Sequence, residues 1–158
     1  MDVTGEGVPA ALLATTLNRV MSPAADPQSI LAEHDEKGAG YRLLAPIEVA
    51  GKLNQRFGRQ EGKQFFTLTY GVLNLESREL RFTSAGHTPL LHQRAGGSPA
   101  MLDVPGFPIG MSPDSNDFSE QAITLKSGDR LFVYSDGLTD TMNADGDIFG
   151  AAQLLEAI

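Results

Sequence analysis

Two short segments of this chain set an aspartate among glycines where the local pattern calls for a turn: Asp2-Val3-Thr4-Gly5-Glu6-Gly7 and Ser135-Asp136-Gly137-Leu138-Thr139-Asp140. The first precedes a helical stretch and the second follows the most apolar strand-like run. A strand that ends in Asp-Gly leaves its carboxylate at a sheet edge, and the glycine lets an ion or a phosphate approach the backbone. Two such ends brought together make an oxygen-ligand pocket for Mg²⁺ or Mn²⁺. A pair of these ions ~3.5–4 Å apart lowers the pKa of a bridging water and binds a phosphoryl group at once.

Each motif also has a plain structural reading. Asp136 is equally a turn residue, since Asp-Gly is among the commonest turn dipeptides. Asp2 is equally a cap or dipole partner for the helix that follows it, and Asp140 a solvated residue or helix cap. His87 lies between Ala85-Gly86 and Thr88-Pro89. It is either a general acid or a turn residue whose ring bonds to backbone, and metal-assisted hydrolysis needs no histidine base. His34 and His92 have no motif around them. Asn143-x-Asp145-x-Asp147 begins like an EF-hand loop, but Ile148 stands where glycine is needed and Leu154 where the bidentate glutamate is needed, so it reads as a turn.

Composition narrows the field. The 158 residues include 20 acidic and 12 basic side chains, a formal charge of -8, and the basic ones form no stripe. That argues against a nucleic-acid partner. With no cysteine, disulfides, thiolate metal sites and cysteine nucleophiles are excluded, while hard cations on oxygen remain open. No apolar run reaches ~18 residues and no signal-like segment opens the chain, so no membrane contact is expected and the cytoplasm is the default compartment.

The elements that must position the two aspartates follow from periodicity. Apolar residues at 10, 13, 14, 17, 20 and 21 recur at helical spacing behind Pro9, and Pro46 opens a second amphipathic helix through Phe57 with Gly58 as its stop. Between them, residues 22–44 are polar and carry Pro23, Pro27, Gly38 and Gly40. This segment reads as a long mobile insertion with a short helix near Ser29-Ile30-Leu31-Ala32. Strands are predicted at 65–75, 79–85, 89–94, 121–125 and 130–135, and a last helix from about Gly150. Helices, then antiparallel strands, then a helix make one α+β domain over residues 1–158.

Taken together, these blocks resemble the SpoIIE/RsbU-type branch of the PPM metal-dependent serine/threonine protein phosphatases. Asp2 through Leu12 is similar to the D-V-S-G-H-G-x-x-A-A-L motif, and Phe66 through Leu73 to the family's Y-G-V strand. Ser84-Ala85-Gly86-His87-Thr88-Pro89 resembles S/N-A-G-H-P-P, Gly106-Phe107-Pro108-Ile109-Gly110 resembles G-x-P-L/I-G, and Ser127-Gly128-Asp129 through Asp140 resembles P-G-D…Y-T/S-D-G-x-x-E/D, with Phe149-Gly150 after it. The resemblance implies an αββα sandwich of two antiparallel sheets flanked by helices. It also implies two Mn²⁺ or Mg²⁺ ions, with Asp2 bridging them, the Val3 carbonyl on one, Asp136 on the other and Asp140 near a weaker third. The nucleophile would be water held by the ions, with no catalytic side chain.

By the same resemblance the substrate is a phosphorylated regulatory protein, such as an anti-sigma-factor antagonist in a stress response, and the regulator an upstream sensor or receiver domain. Glu6 stands where the family often has histidine. The family's earlier G-G-D-like strand and later Asp-containing strand have no counterpart here, so the sandwich is expected to be incomplete at both termini, with weakened metal affinity and activity. Exposed sheet edges are then expected to favour self-association. Two rival readings stand beside the enzyme: a non-catalytic regulatory module that keeps the phosphatase fold, and a structural α+β domain whose aspartates are turn residues.

Overall fold

A computed structural model describes residues 1–22, 29–35, 40–58, 64–112, 114 and 117–158. Among these the order is β1 (Asp2–Val3), α1 (Gly7–Val20), β2 (Ala32–His34), β3 (Tyr41–Leu43), α2 (Pro46–Phe57), β4 (Phe66–Leu73), β5 (Glu79–Ala85), β6 (Leu90–Gln93), β7 (Pro99–Leu102), β8 (Glu120–Thr124), β9 (Arg130–Phe132), α3 (Asp136–Thr139) and α4 (Gly150–Ala157). One antiparallel sheet has the order β1-β4-β5-β8 and another β7-β6-β9, with β2 and β3 paired to each other.

Alternation along β4 and β5 divides the core in two. Phe66 and Leu68 of β4, with Ala85 opposite Leu68, face the helices. There they meet Leu13, Leu17 and Val20 of α1 and Val49, Ala50, Leu53 and Phe57 of α2. Each such buried side chain contributes about 1.5–3 kcal/mol relative to exposure. Leu80 and Phe82 of β5 face the other way, packing with Leu90 and Val104 between the two sheets. On β6 the neighbour of Leu90, Leu91, therefore points outward, yet it is fully buried. Gln93, on that same outer face, donates to the Ile158 carbonyl at the end of α4 (3.4 Å). The layers run helix, sheet, sheet, helix, the αββα arrangement expected from the motifs.

Both long helices form where periodicity placed them. α2 is stabilised at its start by Glu48, whose carboxylate accepts from the Ala45 amide (2.8 Å) and from Arg42. These contacts hold the Glu48 pKa down to about 2. The segment between the helices departs from expectation. No helix forms near Ser29–Ala32; instead β2 and β3 pair antiparallel, and Leu31 and Leu44 sit in the helix-side core. A leucine just before β2 and another just after β3 anchor the hairpin, which outweighs its polar composition. Pro23, Pro27 and Gly38, on which the insertion reading leaned, lie outside the described residues. β9 ends at Phe132 rather than at residue 135, and β1 and β7 lie outside the predicted strands.

Candidate active site

Asp2 is held by the short strand β1, where it pairs with Thr67 of β4, and Val3 pairs with Phe66. The Thr4 amide donates to the Phe65 carbonyl (3.1 Å), and the Thr4 hydroxyl donates to the same oxygen. Asp2 is thereby fixed at the end of the first sheet with its side chain exposed. Asp136 arrives from the second sheet. Beyond Phe132 the chain leaves β9, and Ser135, with extended backbone, becomes the N-cap of α3, whose first residue is Asp136. The negative charge thus sits where a helix N-terminus favours it. The Asp136 carbonyl accepts from the Asp140 amide (2.7 Å) and the Thr139 hydroxyl (3.0 Å), so the main chain is pinned while the carboxylate stays exposed.

The Ala85-Gly86-His87-Thr88 turn ties these two ends together. His87 Nδ1 and Thr67 Oγ1 share a hydrogen bond of 2.7 Å, on the residue opposite Asp2. The next residue, Thr88, donates its hydroxyl to the Tyr134 carbonyl (2.6 Å), two residues before Asp136. Burial and the nearby Met1 ammonium hold the His87 pKa below its ordinary value, against the carboxylates of Asp2 and Asp136, which both pull it up. Both aspartates are therefore within electrostatic reach of one half-buried ring. The Met1 nitrogen lies 3.5 Å from Nε2, so both ring nitrogens have a polar neighbour.

Steric fit makes this turn one unit with the Gly106–Gly110 loop. β5 leaves the ladder after Ala85, and Ile109 takes the vacated place beside Phe66, with amide-carbonyl bonds of 3.1 and 2.9 Å. Gly86 has φ +67, and a Cβ there would lie 2.6 Å from Pro108 Cγ; one at Gly106 would lie 2.1 Å from the Ser84 carbonyl oxygen. Asn54, 2% exposed in α2, accepts from the Gly110 amide and donates to the Ser112 carbonyl, both at 2.9 Å. Asp129 clamps the other sheet: its carboxylate accepts from the amides of Lys126 (3.0 Å) and Ala95 (3.1 Å) and from His92 Nε2 (3.0 Å). Thr67, Thr88 and Asp129 lie inside the motif blocks without a role assigned to them, and Asn54 lies outside every block. The available signal was a polar residue, Asn54, on an otherwise apolar helix face beside Leu53 and Phe57.

The donor set suits a hard cation in type: carboxylates of Asp2 and Asp136 at one end of the sandwich, with the Val3 carbonyl beside Asp2. It is not a closed cage. Among the described residues no group of three or more His, Asp or Glu side chains gathers closely enough to hold an ion. Asp140 closes α3 as its C-cap, with an exposed side chain. Asn143 accepts from the Asp145 (3.0 Å) and Asp147 (2.8 Å) amides, which makes that segment a side-chain-closed turn. No helix among the described residues is long and apolar enough to cross a membrane.

Comparison with known proteins places the chain by family and fold. Protein IcfG of Synechocystis is 26% identical over 99% of this chain and 27% of its own length. Phosphoserine phosphatase RsbU of Bacillus subtilis is 26% identical over 92% of this chain and 39% of its own length. This chain thus spans well under half of the curated relatives it matches. The crystal structure of the RsbU and RsbW domains of Rv1364c from Mycobacterium tuberculosis superposes with a TM-score of 0.66 at 23% identity, covering 99% of this chain and 39% of that one, which is agreement of fold. The sequence profile of Stage II sporulation protein E (SpoIIE) matches residues 1–158, and with the whole chain inside that match, the protein belongs to the SpoIIE family.

Proposed function

We propose that this chain belongs to a phosphatase domain that hydrolyses phosphoserine or phosphothreonine on a regulatory protein in bacterial signalling, with Mn²⁺ or Mg²⁺ as cofactor. The observation that carries this reading is that one turn bonds through His87 to Thr67, the partner of Asp2, and through Thr88 to the Tyr134 carbonyl, two residues before Asp136. Bound divalent cations supply positive charge to the phosphoryl oxygens and acidify the attacking water. Asp2, the Val3 carbonyl and Asp136 hold the cations, and Asp140 adds charge one helical turn beyond Asp136. His87 keeps the two half-sites in register through Thr67 and through its neighbour Thr88. The name of the RsbU relative supports a phosphoserine substrate. The resemblance to that branch supports an anti-sigma-factor antagonist as the phosphoprotein and an upstream sensor or receiver domain as regulator, in a cytoplasmic pathway.

The test pairs two measurements on wild type and Asp136→Asn. Release of phosphate from a phosphoserine peptide should require Mn²⁺ in the wild type and disappear in the variant; turnover retained in Asp136→Asn sinks the assignment of that residue. A second reading, a non-catalytic module on the phosphatase fold, is favoured by the lack of a third gathered carboxylate among the described residues. Calorimetric titration with Mn²⁺ separates the two. Saturable heat that Asp136→Asn removes supports the enzyme, and its absence in the wild type supports the module.

A further inference from the structure

The turn closed by Asn143, which metal-assisted hydrolysis does not use, forms one wall of a cavity just beyond α3. The cavity holds about 330 Å³, and its other walls include Thr141, Met142, Asp147, Ile148, Phe149 and Gln153. That volume falls at the lower end of the ~300–1,000 Å³ typical of ligand pockets. Backbone and side-chain bonds make the cavity one unit with the Asp136 helix. The Thr141 hydroxyl donates to the Gly137 carbonyl (2.8 Å), the Phe149 amide donates to the Thr141 carbonyl (2.8 Å), and Met142 pairs with Ile148 as an antiparallel bridge. Its first wall residue follows Asp136 by about 8 Å, at ~1.5 Å per helical residue.

The lining is part apolar and part acidic. Met142, Ile148 and Phe149 supply the apolar surface. Asp147 Oδ2 accepts from Asn143 Nδ2 (3.0 Å), while Asp147 Oδ1 and the Gln153 side chain have no hydrogen bond among the described residues. All the charge that this part of the chain contributes is negative. Residues 131–158 hold Asp136, Asp140, Asp145, Asp147 and Glu156 with no Lys, Arg or His, and residues 1–18, which carry Asp2 and Glu6, hold none either. Arg130 approaches α4 only at its opposite end, donating to Gln93, which in turn donates to the Ile158 carbonyl. Ile158 lies about 13 Å along the helix from Phe149, at ~1.5 Å per residue.

We propose that this cavity binds an arginine or lysine side chain that the phosphoprotein presents beside its phosphoserine, an inference that rests on the phosphatase reading above and narrows its substrate class. The aliphatic stem lies against Met142, Ile148 and Phe149, as long basic side chains do on apolar surface. Its head reaches Asp147 Oδ1 and Gln153 Oε1. Charge selects this occupant, because walls with carboxylates and no cation repel an acidic side chain, and an apolar one leaves Asp147 without a partner. A bare metal ion is a poorer fit, since no three carboxylate or imidazole groups gather among the described residues. At ~3.3 Å per extended residue, a side chain seated there belongs about two to four residues from a phosphoserine held at Asp136.

Fluorescence polarisation tests this with labelled phosphoserine peptides that carry arginine, alanine or glutamate three residues from the phosphoserine, and with the unphosphorylated arginine peptide in EDTA. The arginine phosphopeptide should bind about fivefold tighter than the alanine one, the range of a solvent-accessible ion pair, and the glutamate one more weakly still. Asp147→Asn keeps an acceptor for Asn143 and should melt like the wild type, yet it should erase the arginine preference. Asp145→Asn removes the same charge outside the cavity and should leave that preference in place. Equal binding of the arginine and alanine peptides, a preference that survives Asp147→Asn, or one lost equally in Asp145→Asn overturns the proposal. The unphosphorylated peptide separates this inference from the reading beneath it. Asp147-dependent binding in EDTA, together with absence of Mn²⁺-dependent phosphate release, would uphold the basic-side-chain cavity and overturn the phosphatase reading alone.

Discussion

His87 Nδ1 lies 2.7 Å from the hydroxyl of Thr67, the residue paired with Asp2, while Thr88 reaches the carbonyl of Tyr134 at 2.6 Å. One turn therefore links β4, on which Asp2 pairs, to the segment between β9 and α3 that leads into Asp136. Replacing Thr67 or Thr88 by valine keeps the shape and removes the bond. Each variant should stay folded while Mn²⁺ affinity falls several-fold, and Thr67→Val should also shift the His87 ring resonances. Unchanged calorimetric affinity in both variants would show that the turn does not position the aspartates.

Substitution at the glycines should separate steric from conformational cost. Gly106→Ala drives a Cβ to 2.1 Å from the Ser84 carbonyl oxygen, and Gly86→Ala meets Pro108 at 2.6 Å with φ +67, whereas Gly146, at φ +87, has nothing within 4 Å. Gly146→Ala should cost only the left-handed backbone, about 1–2 kcal/mol. Gly86→Ala adds overpacking of about 1–3 kcal/mol to that cost. Gly106→Ala should destabilise at least as much as Gly146→Ala in chemical denaturation, although its cost is steric alone.

Asn54 satisfies both the Gly110 amide and the Ser112 carbonyl from inside the helix layer. Asn54→Ala should strand these groups at about 1–3 kcal/mol each where they stay buried. Asn54→Asp keeps the acceptor for Gly110 but loses the donor to Ser112, and should fall between. Thermal melts of the three proteins check the order.

The Asp129 carboxylate is pulled down to about 2, first by the Lys126 amide and then by His92. Its pKa in the unfolded chain is the ordinary one, near 3.8. A depressed carboxylate adds stability above the unfolded value and loses it as pH falls through the folded one. The clamp should therefore weaken between about pH 4 and pH 2, and Asp129→Asn should flatten the pH dependence of the melting temperature across that window. An unaltered slope would mean that other carboxylates dominate acid unfolding.

Much of this molecule is written in its order of residues. Helical spacing behind Pro9 and Pro46 fixes α1 and α2, because their buried stripes are local patterns. Turn chemistry at Glu76–Arg78 and Lys126–Asp129 fixes where β4, β5, β8 and β9 begin or end. The Asp-Gly motifs identify which carboxylates stand at element ends. What sequence does not determine is which ends meet. β1 is two residues long and exists only because β4 offers it an edge. The β2–β3 hairpin replaces an expected helix because Leu31 and Leu44 find the core on either side of it. The segments that carry Asp2 and Asp136 are joined by bonds from His87 to Thr67 and from Thr88 to the Tyr134 carbonyl. Such pairings depend on the closure of distant chain segments, a tertiary effect that no window of local sequence contains.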